Sequence, residues 1–95
     1  MAVVDIGTII VRSPEIRGGR PRIAGTGVTV RTIALCHRAG LSPPEIAAEF
    51  PHLTLAQVYA ALTYYHANRD EIERDIADED ATVEQLERQH RQARP

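Results

Sequence analysis

The chain has 95 residues, of which 43% are hydrophobic, and its 11 basic and 13 acidic residues give a net charge of −2. This length allows one domain with a modest core, and the small net charge argues against strong non-specific binding to nucleic acid. No apolar run approaches the ~20 residues that span a bilayer, and no signal peptide is recognisable. We therefore expect a cytoplasmic protein with no membrane partner and, since there is a single cysteine, no intrachain disulfide.

Charge is distributed unevenly along the chain. Residues 1–40 carry a net charge of +4 and residues 41–95 a net charge of −6. Every basic residue is an arginine, whose planar guanidinium suits phosphate and carboxylate groups. The uneven charge predicts that the two halves of the chain meet different partners, and the polar last quarter predicts a dimer or a second protein as one of them.

The N-terminal region is predicted to contain a strand and an ordered loop. Residues 3–12 are apolar and β-branched, which is typical of a strand, with a break at Gly7 and an end at Pro14. The stretch 13–27 is rich in glycine, proline and arginine and predicts a loop or a hairpin. Residues 28–30 then resume an extended pattern.

The first predicted helix follows this region. It is expected to start near Arg31, and the hydroxyl of Thr26 or Thr29 can cap it. Gly40 suits the left-handed position that follows the end of a helix. Cys36 lies among apolar residues within the helix, so we interpret it as a small buried side chain.

Residues 41–46 and 53–58 carry the same helix-start pattern. In each, a Ser or Thr hydroxyl is spaced to accept a hydrogen bond from the backbone N–H three residues on, and a Glu or Gln there can bond back to the cap. Only a helix from Pro43 to about Phe50 and a short turn fit between the two starts. This spacing predicts a helix-turn-helix, although a plain helical hairpin without a nucleic-acid role fits it equally well.

The third predicted helix begins after Thr54. One apolar set recurs at three- and four-residue intervals and is expected to face the core: Leu55, Val58, Tyr59, Leu62 and Tyr65. The remaining positions are expected elsewhere on the helix surface: Gln57, Ala60, Ala61, Tyr64 and Asn68. The alanines among them would allow close approach to another helix or to a DNA groove.

The C-terminal quarter of the chain is strongly acidic. Ile72 and Ile76 keep a thin apolar helical stripe, and residues 82–85 form a further capping box. We therefore divide the chain into a domain of residues 1–69 and a helical tail of residues 70–95. Because the tail buries so little apolar surface, it is expected either to be solvated or to fold onto a partner.

The segment 17–22, with three arginines and two glycines, is the strongest candidate binding site. Glycines let backbone N–H groups converge on an anion, and the arginines supply positive charge. Contact with a nucleic-acid backbone is one interpretation, and a tight hairpin whose arginines pair with nearby acids is the other. The segment lacks the Lys-Ser or Lys-Thr ending of a phosphate-binding loop, so nucleotide chemistry is not expected.

Residues suited to catalysis or metal binding are not grouped in the sequence. The four histidines are far apart and there is one cysteine, so a zinc site is not expected. No serine has a nearby base, and the acidic run lacks the spacing of a calcium loop. We expect no cofactor and no enzymatic activity; an enzyme acting on a phosphorylated ligand at the glycine loop is a third alternative.

Residues 10–65 carry a longer pattern. It runs through PEIRGGRPRIAGT at residues 14–26, resumes with AGLSPPEI at 39–46, and ends with AALTYY at 60–65. This pattern resembles a short bacterial family known as domain-of-unknown-function family 433. One position departs from it, since Gly27 stands where the family usually has an arginine, and a basic side chain beside the hairpin is lost.

The resemblance implies a mainly α fold, with a homeodomain-like helix-turn-helix, a small N-terminal β-hairpin and a C-terminal helical tail. It also implies a dimer, and a frequent genetic neighbour that is a PIN-domain nuclease with a toxin-like role. The family is therefore commonly regarded as the antitoxin half of VapBC-like toxin–antitoxin modules.

The leading hypothesis is a homodimeric antitoxin that binds operator DNA, regulates its own transcription and neutralises a PIN-domain-like ribonuclease toxin. The predicted DNA contacts are Arg17, Arg20, Arg22, Arg31, Thr54 and Gln57. The predicted toxin contacts are Ile72, Ile76, Leu86, Arg88, Arg91 and Arg94. The alternative is a dimeric protein-interaction module that does not bind DNA, which the acidic net charge and the nearly uncharged third helix favour.

Overall fold

A computed structural model describes residues 6–78 of the chain. A two-stranded antiparallel hairpin comes first, and its elements are a 3-10 turn (Ile6–Thr8), β1 (Ile10–Val11), a second 3-10 turn (Arg17–Gly19) and β2 (Arg22–Ile23). The helices that follow are α1 (Val30–Arg38), α2 (Pro43–Glu49) and α3 (Leu55–Ala67). A fourth helix, α4, starts at residue 69 and runs to the end of the described region at residue 78. The predicted fold class, mainly α with a small N-terminal β-hairpin, is confirmed.

The strand predicted over residues 3–12 is much shorter in the structure. It pairs over two residues only, with Ile10 opposite Ile23 and Val11 opposite Arg22. The Ala24 N–H still donates to the Ile9 carbonyl at 2.8 Å, but the chain turns at Gly25 with a φ of +77°, so residues before Ile9 have no continuing strand to pair with. The strand prediction is therefore wrong for Ile6–Thr8, which form a 3-10 turn, and its first residues lie outside the described region.

The predicted helix starts are confirmed at atomic level. The Thr29 hydroxyl caps α1 by accepting a hydrogen bond from the Thr32 N–H. Both reciprocal bonds of a capping box are present at the start of α2 and again at the start of α3. Gly40 follows α1 with a φ of +95°, a left-handed conformation that glycine adopts without steric strain. These local signals fix the helix-turn-helix formed by α2 and α3.

One apolar core joins the hairpin to all four helices. Its buried members are Ile23, Val30, Ile33, Ala34, Ile46, Leu53, Val58, Ala61, Leu62, Tyr65, Ile72 and Ile76. Helix α3 is central, because it contacts α1, α2 and both strands. Within residues 6–78, no helix is both long and apolar enough to cross a membrane.

The buried side of α3 differs from the predicted one. Leu55 and Tyr59, expected to face the core, are 42% and 51% exposed, whereas Ala60 and Ala61, expected outside it, are buried. Small alanine side chains let neighbouring elements approach α3 closely, so its buried side is centred on them instead of on the largest residues. The prediction was correct for the other three positions, Val58, Leu62 and Tyr65.

Helix α4 is part of the core. Ile72 is fully buried and Ile76 is 4% exposed, and both belong to the main apolar cluster. Burying one such side chain stabilises a fold by about 1.5–3 kcal/mol. The expectation that the chain beyond residue 69 lies outside the core is therefore wrong for this helix.

Candidate nucleic-acid interface

The N-terminal turn of α3 carries two of the predicted DNA-contacting residues. The Thr54 hydroxyl accepts a hydrogen bond from the Gln57 N–H at 3.2 Å, and the Thr54 N–H donates to Gln57 Oε1 at 2.7 Å. The carbonyl oxygen of the Gln57 side chain is thus committed to the capping box, and its NH₂ group is the part that can meet a base edge. Thr54 and Ala56 beside it are exposed.

The turn that follows β2, residues 25–28, lies beside the turn of the helix-turn-helix. A groove of about 480 Å³ separates them and is lined by Gly25–Val28 on one side and Glu49–Leu53 on the other. The second of these segments leads directly into α3. The turn after β2 and the start of α3 therefore belong to one edge of the molecule.

Arg17 sits on this edge in an unusual backbone conformation. Its φ is +52°, and it is the one non-glycine residue with a positive φ in the described part of the chain. Its Nε donates to the Gly27 carbonyl at 3.2 Å. A Cβ on Gly27 would lie 3.0 Å from Nη2 of Arg17, so the Arg17 guanidinium covers the space that a side chain at residue 27 would occupy. Arg17 therefore places positive charge beside residue 27, where this chain has a glycine instead of the arginine of the family pattern described above.

Arg22 does not fit the predicted role of an exposed phosphate contact. Its side chain is held inside the hairpin, where Nη1 donates to the Thr26 carbonyl and Nη2 to the Ser13 hydroxyl, both at 3.1 Å. Only 8% of the residue is exposed. We correct the prediction accordingly: Arg22 is a buried cation that links the turn after β2 to Ser13 in the loop between β1 and β2.

Arg20 is engaged by α4. Its Nε lies 2.6 Å from Oδ1 of Asp75, whose side chain is only 13% exposed. One turn earlier on the same flank of α4, Glu71 accepts a hydrogen bond from Arg12, which also donates to the Tyr64 hydroxyl. Arg20 is therefore paired with Asp75 within the chain. This pairing does not match the predicted role of Arg20 as an open phosphate contact.

The opposite flank of α4 is fastened to α1 and α3 by Glu73. Its Oε2 lies 3.4 Å from Nη1 of Arg38, and its Oε1 accepts a 2.5 Å hydrogen bond from the Tyr65 hydroxyl. This hydrogen bond, together with burial, raises the pKa of Tyr65 above its usual value. Acidic residues of α4 thus form ion pairs with arginines of the first 40 residues. The positive charge of the N-terminal half and the negative charge of the C-terminal half are therefore partly neutralised within the chain.

The other predicted contacts fall in three places. Arg31 lies half-buried in the first turn of α1. Ile72 and Ile76 are buried in the core, so they do not offer the surface that a toxin contact needs. The remaining predicted toxin contacts lie outside the described residues: Leu86, Arg88, Arg91 and Arg94.

An exposed apolar stripe on α3 is a feature that the sequence interpretation missed. Leu55 and Tyr59 are one turn apart and about half exposed. A shallow depression of about 600 Å³ continues from Tyr59 along Thr63 to His66. The helical spacing was visible in the sequence, but spacing alone cannot tell an outward apolar stripe from an inward one.

Within residues 6–78, no group of three or more His, Cys, Asp or Glu side chains is arranged to hold a metal ion.

A family model described as protein of unknown function (DUF433) matches residues 10–65, from β1 to α3. The chain belongs to the DUF433 family. Because the match ends before α4, it covers the hairpin, the helix-turn-helix and the Arg17 corner.

A solved structure supports the membership. The crystal structure of a DUF433 member protein from Anabaena variabilis ATCC 29413 at 2.00 Å resolution is 34% identical and has a TM-score of 0.69. The likeness covers 74% of this chain and 69% of that chain. A search of the curated proteins found no match.

Proposed function

We propose that this DUF433 protein is a DNA-binding regulator whose contact surface is the edge formed by Arg17, the turn after β2 and the start of α3. The observation that carries the proposal is the groove of about 480 Å³ that sets residues 25–28 beside residues 49–53. It sets the turn after β2, where Arg17 contacts Gly27, next to the N-terminal turn of the second helix of a helix-turn-helix. In DNA-binding proteins of this type, that turn reaches the base edges.

Each part of this edge has a distinct task. The small side chains of Thr54 and Ala56 let the start of α3 approach the floor of the major groove, which is about 12 Å wide. The Gln57 NH₂ can donate to an acceptor on a base edge. Arg17 supplies charge for the phosphate backbone, which positions the protein without reading sequence. Arg31, half-buried in the first turn of α1, is proposed as a second phosphate contact outside this edge.

Gln57→Glu tests base reading without disturbing the helix start. Glutamate keeps the acceptor that the capping box uses but replaces the NH₂ donor with a negative charge. We expect wild-type protein to prefer its own upstream DNA to a scrambled duplex in fluorescence anisotropy, and Gln57→Glu to weaken the specific complex about tenfold or more at unchanged melting temperature.

Gln57→Ala is the matched control, since it removes both the NH₂ group and the cap acceptor. It should weaken DNA binding and also lower the free energy of unfolding by about 1 kcal/mol. Equal affinity of the wild type for the two duplexes, or wild-type affinity of Gln57→Glu, would contradict the proposal.

We further propose that the protein is the antitoxin of a VapBC-like module and that its C-terminal residues bind a PIN-domain-like nuclease. The support comes from the sequence, because the arginines of residues 79–95 suit the metal-binding carboxylates of such an active site. Arg88, Arg91 and Arg94 carry this role in the proposal, with Leu86 as an apolar anchor. The role is inhibition by binding and requires no catalysis by this chain.

Truncation after residue 81 separates the toxin-binding role from the fold. This variant keeps Ile76 and the whole described core, so it should retain its melting temperature and its DNA binding. We expect it to lose the ability to inhibit RNA cleavage by a co-encoded nuclease. Full inhibition of the nuclease by the truncated chain would contradict the antitoxin proposal and leave the DNA-binding proposal unaffected.

A second candidate function is a dimeric interaction module. The observation that favours it is the exposure of Leu55 and Tyr59 on α3, where a DNA-reading helix more often carries polar groups. A second copy of the chain or another protein could cover this apolar stripe. This alternative predicts that affinity for DNA does not depend on salt.

A further inference from the structure

The hairpin contains an open cleft with an excess of positive charge. The cleft measures about 690 Å³, and its lining residues include Arg17, Arg22, Gly25–Gly27 and one acidic residue, Glu15. Among the described residues, the hydrogen bonds of the two arginines go to carbonyl and hydroxyl oxygens. Within residues 6–78, neither arginine therefore has a carboxylate partner in an ion pair.

The buried arginine is the informative member. Only 8% of Arg22 is exposed, and its Nε has no hydrogen-bond partner among residues 6–78. A buried cation is ordinarily paired with an opposite charge, because removing it from water is unfavourable. The counter-charge of Arg22 is absent from the described part of the chain, and the cleft above it opens to solvent.

Arg17 lies at the rim of this cleft in a strained backbone conformation. A non-glycine residue at a φ of +52° is strained, and such strain is concentrated at binding and active sites. The bond from its Nε to the Gly27 carbonyl fixes the guanidinium over a residue that has no side chain. This bond uses Nε, so the two outer nitrogens of the planar fork are the donors that an anion would bind.

We propose that this cleft binds a phosphate-type oxyanion, which bridges Arg17 at the rim and supplies the counter-charge for Arg22 beneath it. When the oxyanion is a phosphate of the DNA backbone, the inference rests on the proposed function and adds a defined backbone contact to it. Free phosphate has the same chemistry. Glu15 opposes anion binding and so limits the affinity.

Titration with inorganic phosphate at constant ionic strength, followed by NMR of the arginine Nε–Hε signals, tests the cleft directly. We expect saturable shifts at Arg17 and Arg22. Arg69, which is exposed and lies outside the cleft, should show no saturable shift. Equal, non-saturating shifts at all three arginines would overturn the proposal.

Three variants sharpen the test, and none of them removes a core side chain. Arg17→Gln should abolish saturation, and Gly27→Ala, whose Cβ would crowd Nη2 of Arg17, should weaken phosphate binding about threefold or more. Glu15→Gln should strengthen it about threefold, or about 0.7 kcal/mol, which is in the range of one charge pair near a surface. Unchanged phosphate affinity in all three variants would also overturn the proposal.

Competition by DNA distinguishes the two sources of the anion. Release of bound phosphate by the upstream duplex assigns the cleft to the DNA backbone. Saturable phosphate binding without competition by any duplex keeps the cleft as a site for free phosphate and counts against the proposed DNA-binding function. Release by DNA together with equal affinity for scrambled duplex keeps the cleft and rejects sequence-specific regulation.

Discussion

Ile72→Ala is expected to lower the free energy of unfolding by about 2–4 kcal/mol. The side chain is fully buried in the main core, so truncation removes apolar contacts and leaves a cavity between α4 and the helices beneath it. Ion pairs on both flanks hold α4 in place, so the helix cannot shift freely to fill that cavity. Urea denaturation followed by circular dichroism measures the change.

Ile6→Ala is the matched control for this substitution. Ile6 is 72% exposed, and truncation of an exposed side chain changes stability by about 0.5 kcal/mol or less. If Ile72→Ala has an effect as small as that of the control, α4 is not part of the cooperative unit. The chain would then divide near residue 69, as the sequence suggested.

Ala61→Leu is expected to destabilise the protein by about 1–3 kcal/mol. Ala61 is fully buried in α3, the helix that contacts α1, α2 and both strands, so three added carbon atoms have no space. Ala56→Leu, at an exposed position of the same helix, should leave the stability nearly unchanged. Thermal unfolding of the two variants compares them, and a melting temperature of Ala61→Leu equal to that of Ala56→Leu would refute the observed orientation of α3.

Local signals explain why the helix starts could be predicted from the sequence. A capping box depends on two residues three positions apart, and both the Ser42–Glu45 and Thr54–Gln57 pairs form as expected. The left-handed Gly40 is likewise a property of one residue and its neighbours. The spacing of residues along the chain was therefore sufficient to predict the helix-turn-helix.

The orientation of α3 and the placement of α4 could not be predicted in this way. Periodicity identifies apolar stripes on a helix, but which stripe faces inward depends on the elements that pack against it. The pairing of Arg20 with Asp75 joins residues 55 positions apart, and no short pattern encodes such a contact. The predictions from the sequence therefore treated the tail as more separate from the domain than it is. They also overestimated how many arginines are available to contact DNA.

The candidate site was predicted in part. The segment of Arg17 was identified by its glycines and arginines, but the burial of Arg22 follows from hydrogen bonds to Ser13 and Thr26 that only the folded hairpin creates. The loss of a side chain at Gly27 looked like a loss of charge. In the fold it provides the space that the Arg17 guanidinium occupies.

The salt dependence of binding to the upstream duplex tests the central claim most directly. Each phosphate contact contributes about 0.9 to the slope of log K against log salt concentration, so Arg17→Gln should reduce the slope by about that amount. Arg12→Gln is the control, since Arg12 is already paired with Glu71, and it should leave the slope unchanged. A wild-type slope near zero, or an identical slope for Arg17→Gln, would contradict a DNA-binding role for this edge of the protein.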